Sequence, residues 1–598
     1  MQLAGGIKIM KKLKNYTSNL VLCIKIMFTI SPANFLLKLF CSFIVPVISL
    51  VMVYLMKWML DYLVNYNESI FYKIIELLVI YFILKVANII ITNIERYAEE
   101  VNNSNIRRYI NNLIITRCTE LDISIYDDAS VYNEIRYINN NYYSISKMVE
   151  ETIEIISAIV SFILIIIVGF NKLYLYAFIM IISCLPAGIA KLKYTKSFYE
   201  LGINQIKDER RIDYLISLIL DKNYSQEIKH YSLGKRIYKS HKQIYNKLFN
   251  DRKCIFKKSL FVSSILLLLP EICYLIIMFL TSRKIAGGIL TVGDFYLYLE
   301  FLTQIWGNVN RITYDVDSLF EENGKIFFLK DFLEKKPDIK NGKRKIETIN
   351  SIKFANVYFK YPFSEEYVIN NVSFEIKPGE NIAIVGENGS GKSTLIKLLL
   401  RYYDVTSGTV YINNTNIKEY DITGLRKCIG LYFQNSYNYA FTFRENITIS
   451  RDGEEDNEKI RKALSVTGTD EVIQEKGVSL DDYVTKLFDE NGTELSGGEH
   501  QRLALSRTVY SDAGWFIFDE PSSALDPKIE YEFFQRIREA FKNKTIIYIS
   551  HRLSNITFSD KIIVMEKGKV IEFGNIDQLM FNKGKFYELY NYQKSFIR

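Results

Sequence analysis

Residues 386–394 read GENGSGKST, and the second half of the chain is organised around them. The spacing is GxxxxGK[ST], a loop that wraps phosphate oxygens with backbone N–H groups. An apolar run from Ile382 to Val385 precedes it and another from Leu395 to Leu400 follows it. That context predicts a strand, a tight loop and a helix start. Gly386, Gly389 and Gly391 let the backbone approach a ligand closely, at a helix N-terminus that favours negative charge. Lys392 is placed to reach the β and γ phosphates of ATP, and the Ser393 hydroxyl to bind Mg²⁺. Glu387, Asn388, Ser390 and Thr394 complete the expected ATP-binding set.

Downstream, WFIFDE at 515–520 is a buried strand in pattern, ending in two carboxylates. Successive strand residues face opposite ways. Asp519 is therefore read as a holder of the Mg²⁺ shell, and Glu520 as the group that polarises an attacking water. Short apolar strands alternate with amphipathic helices from Ile352 onward, an α/β pattern.

Between these two motifs stands LSGGEHQ at 495–501. With it the second half resembles the nucleotide-binding domain of ABC transporters. The resemblance implies that Ser496, Gly497 and Gly498 cap the γ-phosphate of ATP held by another subunit, that Glu499 belongs to the same in-trans ATP site, and that Asp526 in SALD (523–526), also of that site, is the acidic residue of the loop coupling the two ATP sites. It makes Tyr361 in FKYP the aromatic that stacks on adenine. Gln434 in YFQN becomes a catalytic and Mg²⁺-contacting glutamine, and His551 in YISHRLS a γ-phosphate contact. It assigns Glu490 to a loop that meets a partner subunit. None of these motifs carries a degenerate substitution, so a homodimer of two such chains is expected to hydrolyse ATP at both sites.

The first half answers to a different solvent. A chain of 598 residues exceeds one core, and a mean hydropathy of +0.03 is high beside 24% charged residues. Helical spans need roughly 20 apolar residues. Six candidates lie near 35–57, 71–94, 152–170, 173–192, 259–281 and 290–313. The gaps after the second and fourth are long and polar, and 191–258 holds 17 Lys or Arg. The positive-inside rule puts these extensions and both termini in the cytoplasm. The net charge of +8 thereby belongs to a membrane surface, and nucleic acid is not expected as a partner. The seven cysteines are scattered, without the spacing of a zinc site or a disulfide framework. No signal-peptide pattern follows Lys8, Lys11, Lys12 and Lys14.

The expected fold is an all-α six-span transmembrane domain over 1–335, a basic linker over 336–350, and an α/β P-loop ATPase domain over 351–598. This arrangement resembles the exporter-type half-transporter, a multi-pass protein of the cell membrane. By that resemblance, 121–135 and 220–237 are the tips of the two extensions that dock on ATPase domains. Ionisable residues inside spans point to a polar cavity, and Glu271, Glu300 and Gln304 are the candidates, the last two sharing a helix face. The stretches 433–447 and 487–507 resemble exporters of lantibiotic-type peptides and their multidrug-like relatives. A peptide is therefore the expected cargo, with a drug, a lipid, or a sensory role without transport as the alternatives. No protease domain is expected before the first span. The abundance of Ile, Asn, Lys and Tyr fits an AT-rich bacterial source.

Overall fold

The computed structural model describes residues 2–127, 129–362, 364–434, 436–451, 453, 455–521, 527–550, 556 and 559–596. His551 and Asp526 lie outside them. Contacts divide the chain into two compact units, Met1–Thr119 with Ala129–Lys335, and Glu120–Asp128 with Lys336–Arg598.

The first unit is helical: α1 (Gln2–Ile30), α2 (Pro32–Val64), α3 (Phe71–Glu120), α4 (Ala129–Asn140), α5 (Ser144–Leu220), α6 (Lys222–His230), α7 (Gly234–Ala286) and α8 (Val292–Glu334). Among the described residues, four stretches are long and apolar enough to cross a membrane: Pro32–Val64, Glu68–Glu120, Leu175–Gly202 and Gly234–Ala286. They hold the first, second, fourth and fifth expected spans. The third lies in α5, which also carries the fourth. The sixth lies in α8, whose Phe301, Leu302 and Ile305 are fully buried among Val53, Ile165, Met180 and Ile277. The face of α8 that packs on α2, α5 and α7 needs no lipid-facing apolar skin, so this helix can carry more polar residues than a lipid-facing one. By contrast Leu260, Phe261 and Phe279 of α7 are about 70% exposed, as a lipid-facing surface requires.

α8 starts with a capping box, Thr291 accepting from Asp294 N at 3.0 Å. Asp294 also pairs with Lys57 at 2.7 Å, and Gly293 N donates to Asp61 at 2.8 Å. A Cβ at Gly293 would collide with the Lys57 carbonyl, so glycine permits this close crossing of α2 and α8.

The second unit contains β1 (Ile352–Phe359), β2 (Ile369–Ile376), β3 (Asn381–Gly386), α9 (Lys392–Leu399), β4 (Ser407–Ile412), β5 (Thr415–Asn416), α10 (Ile422–Lys427), β6 (Ile429–Tyr432) and α11 (Phe443–Thr448). It continues with α12 (Asn457–Thr467), α13 (Thr469–Lys476), α14 (Gly497–Tyr510), β7 (Trp515–Asp519), α15 (Pro527–Ala540), β8 (Thr545–Ile549), β9 (Lys561–Glu566), β10 (Lys569–Gly574), α16 (Ile576–Asn582) and α17 (Lys585–Phe596). One sheet is antiparallel, in order β2-β1-β4-β5. The other runs β10-β9-β3-β8-β7-β6, with only its edge pair β10–β9 antiparallel.

Two segments differ from the expected division. Residues 120–128 belong to the second unit: Asp122 Oδ2 accepts from Asp338 N (2.6 Å) and Ile339 N (3.0 Å), and Tyr403 Oη donates to Asp127 (2.6 Å). The basic stretch 336–350 is no free spacer. Arg344 N donates to Glu419 O at 2.9 Å, Arg401 to Lys340 O at 2.7 Å and Trp515 to Ile349 O at 2.7 Å. Satisfied backbone groups hold it on the α/β unit despite its polar composition.

Candidate functional site

Parallel register brings the motifs to one sheet edge. Tyr432 of β6 lies opposite Phe518 of β7, and Phe518 opposite Tyr548 of β8. One residue on, Asp519 lies opposite Ile549, which lies opposite Ile384 of β3. The chain leaving each strand therefore delivers Gln434, Asp519–Glu520 and the loop from Gly386 to the same carboxyl edge, the ligand edge of open α/β sheets.

The loop has the shape its glycines allow. Gly386, Gly389 and Gly391 sit at φ of +155°, +78° and +102°. A Cβ at Gly391 would stand 2.8 Å from Ile369 Cδ1 and 3.0 Å from Val368 O. Glu387, Asn388 and Gly389 form the exposed tip, while Ser390 and Lys392 are buried. Lys392 Nζ donates to Gly386 O (2.8 Å) and Glu387 O (2.9 Å), folding its ammonium over the cradle. Burial holds its pKa below the ordinary lysine value, against the pull of Glu520 and Asp519. Ser393, at the start of α9, bonds to Asp519, whose own pKa is raised by burial. Thr394 Oγ1 lies 3.1 Å from Tyr361 Oη.

Glu520 follows directly. Its backbone is at φ +50°, with its N–H on Ile549 O at 3.0 Å. From that turn the carboxylate meets Gln434, whose Nε2 donates to Glu520 Oε2 at 2.8 Å. The two candidate catalytic side chains, 86 residues apart, thus meet. Asp519 Oδ1 and Ser390 Oγ are buried without a hydrogen-bond partner among the described residues. A buried carboxylate oxygen beside a serine hydroxyl and a lysine fits a divalent cation on a triphosphate.

Two family models match, the ABC transporter transmembrane region over residues 32–309 and the ABC transporter over residues 369–523. The chain belongs to the ABC transporters with fused transmembrane and ATP-binding domains. It is 27% identical to the subtilin transport ATP-binding protein SpaT of Bacillus subtilis, over 93% of this chain and 91% of that one. It is 30% identical to the putative multidrug export ATP-binding/permease protein YgaD of Bacillus subtilis, over 54% and 56% of the two chains. It is 34% identical to the ATP-dependent lipid A-core flippase of Vibrio cholerae, over 53% and 54%. The solved structure of a bacterial Atm1-family ABC exporter with ATP bound has the same fold, at TM-score 0.78 and 21% identity, covering 93% of this chain and 98% of that one.

In this ABC exporter the signature serine starts a helix. Ser496 caps α14, its hydroxyl accepting from Glu499 N at 3.4 Å, while Glu499 Oε2 accepts from Ser496 N at 2.6 Å. Ser496 and Gly497 are exposed, but the Glu499 carboxylate is engaged within its own chain, by this capping box and by Lys476 at 3.3 Å. Glu490 is exposed. Tyr361 packs edge-on against Tyr403 at 5.2 Å, with Lys397 Nζ 5.4 Å from its ring centre.

The sequence reading missed a clasp behind the signature. Arg507 of α14 donates to Asn446 O (2.9 Å) and Tyr437 O (3.1 Å) and lies 5.0 Å from the Tyr439 ring centre. Asn438 Nδ2 lies 2.9 Å from His500 Nδ1, and burial holds the His500 pKa below its ordinary value. These contacts fasten the segment after Gln434 to the signature helix. Their partners lie 61 to 70 residues apart, which no local pattern reveals.

The exporter's helical unit holds a cavity of about 420 Å³ lined by Ser49, Tyr81, Ser161, Glu300, Gln304 and Arg311, among others. Gln304 Nε2 donates to Glu300 at 3.3 Å. Glu271 is not among its lining residues; it stands on an exposed face of α7.

Proposed function

We propose that this ABC exporter hydrolyses ATP and uses it to move a peptide out of the cell by alternating access, as a homodimer. The meeting of Lys392, Asp519 and the Glu520–Gln434 pair at one sheet edge carries the reading. The Gly386–Thr394 cradle binds the triphosphate, and Tyr361 stacks on the base. Mg²⁺, when bound, neutralises phosphate charge; Ser393, Asp519 and Gln434 are the residues that would hold it. Glu520 accepts the proton of the attacking water, and Gln434 fixes the orientation of its carboxylate. His551 contacts the γ-phosphate, and Asp526 belongs to the loop that couples the two ATP sites. Ser496, Gly497 and Gly498, at the exposed start of α14, cap ATP on a second copy. Glu499 serves that contact indirectly, by holding Ser496 in its capping geometry. Closure of two copies over two nucleotides pulls on the docked segments 121–135 and 220–237 and reorients the membrane cavity. The long helical extensions and both termini then lie in the cytoplasm.

The cargo reading rests on similarity along nearly the whole chain to a subtilin transport protein. The lipid and multidrug relatives match over about half, and they support the second reading, a lipid or drug as cargo. Glu300 and Gln304 supply polar contacts for either. Inside-out vesicles offered a fluorescent cationic peptide and a fluorescent lipid analogue separate the two. ATP-dependent peptide accumulation that disappears in Lys392→Ala supports the proposal. Equal accumulation in both proteins would defeat active transport, and movement of the lipid alone would favour the second reading.

A further inference from the structure

Next to the cavity lies a group of charges that ATP chemistry does not use. Lys38 of α2 is 5% exposed. Its ammonium meets Glu95 of α3 at 2.8 Å, Glu154 of α5 at 3.2 Å and Glu99 of α3 at 3.9 Å. Ser42 adds a hydrogen bond to Glu95 at 3.0 Å. Glu154 divides its oxygens: Oε1 faces Lys38, and Oε2 holds Arg311 of α8, which lines the cavity. Arg311 also stands 4.0 Å from Asp315.

One more carboxyl has no ion-pair partner of its own among the described residues. Glu150, one turn before Glu154 on α5, is 8% exposed, and its carboxyl lies against that of Glu99. Its Oε1 has no hydrogen-bond partner among the described residues. Both amide atoms of Asn102 share that lack, on the buried α3 stripe Ala98–Asn102–Ile106, one turn from Glu99; Asn102 is 1% exposed. Lys38 is already shared among three carboxylates. A buried, unpaired carboxylate costs several kcal/mol, and two adjacent carboxyls avoid that cost by sharing a proton.

We propose that Glu150 and Glu99 form a proton-binding site whose occupancy sets the charge that Arg311 presents to the membrane cavity. With the proton bound, Lys38 stays on Glu154 and Glu95, so Arg311 keeps only one oxygen of Glu154. When the proton leaves, a new negative charge on the α3–α5 face draws Lys38 toward it. Both oxygens of Glu154 then turn to Arg311, and the cavity wall becomes less positive. Glu99, whose side chain is 42% exposed, gives the proton a route in and out. Other groups around the site are placed differently. Tyr16 of α1 is bonded to Thr152, Cys41 of α2 faces Lys38 and Glu95, and Glu151 of α5 turns to Lys147 and Ser318. Glu322 of α8 is taken by Lys147 and Lys325. None supplies a cation to Glu150.

This site does not depend on the identity of the cargo. The test uses full-length protein in nanodiscs. Infrared difference spectra across a pH titration should show a protonated carboxylic C=O band at neutral pH. Glu150→Gln should remove it, Glu99→Gln, which takes away the neighbouring negative charge, should move its titration to lower pH, and Glu95→Gln, a change at a carboxylate already paired, should leave it. The pH profile of ATP turnover should flatten in the first variant, move to lower pH in the second and keep its shape in the third. Absence of the band at neutral pH, or its survival in Glu150→Gln, would overturn the proposal even in a preparation without measurable turnover.

Discussion

Replacing Glu520 by Gln is the sharpest single perturbation of the ATP site. The change keeps the shape of the side chain. Gln434 Nε2, 2.8 Å from Glu520 Oε2, still finds an oxygen to donate to. The structural loss is the difference between a charge-assisted and a neutral hydrogen bond, about 1 kcal/mol. The Glu520 N–H bond to Ile549 O, at 3.0 Å, involves backbone only and persists. The chemical loss is larger, because an amide cannot accept the proton of the attacking water. A positioned general base contributes about 10²–10⁴-fold, or about 3–5 kcal/mol of barrier at 1.36 kcal/mol per tenfold. Steady-state phosphate release in nanodiscs should therefore fall by about 10²–10⁴-fold, with ATP affinity held within roughly threefold. Turnover within threefold of wild type would refute the role assigned to Glu520, as would a parallel collapse of nucleotide binding.

Gly391→Ala places a Cβ at φ +102°, 2.8 Å from Ile369 Cδ1. A left-handed penalty of about 1–2 kcal/mol plus crowding of about 1–3 kcal/mol should lower both melting temperature and ATP affinity. Arg507→Lys loses the fork that reaches Asn446 O and Tyr437 O together; faster hydrogen exchange over 437–446 should follow, without loss of the fold. Burial depresses the His500 pKa, so its neutral form contributes stability above the ordinary histidine value of about 6.5. That contribution is lost as pH falls through the depressed value; exchange over 437–446 should quicken on acidification in wild type and less so in His500→Gln. Glu300→Gln should weaken stimulation of ATP turnover by a cationic test peptide several-fold, whereas Glu271→Gln, outside the cavity lining, should leave it unchanged.

What the chain determines by itself is whatever depends on neighbours in sequence. The phosphate loop is legible because Gly386, Gly389 and Gly391 must take left-handed or extreme φ within six residues, and because apolar runs flank them. Asp519 and Glu520 are legible as a pair because an apolar strand ends on two adjacent carboxylates, but the turn at φ +50° that places Glu520 is not written in that pattern. Six membrane stretches are legible because a helix crossing lipid needs roughly 20 apolar residues. Tertiary structure decided the rest, because those choices depend on groups far apart in the chain. The polar α8 is a central helix because protein, not lipid, surrounds Phe301 and Ile305. Glu300 lines the cavity and Glu271 does not, since each helix's rotation is set by packing against its neighbours. The segment 120–128 and the basic stretch 336–350 join the ATP-binding unit through Asp122, Tyr403 and Arg401, hydrogen bonds spanning 61 to 276 residues. Hydrophobic period and charge are local quantities, whereas the partner of a buried polar group is fixed only when the chain has closed around it.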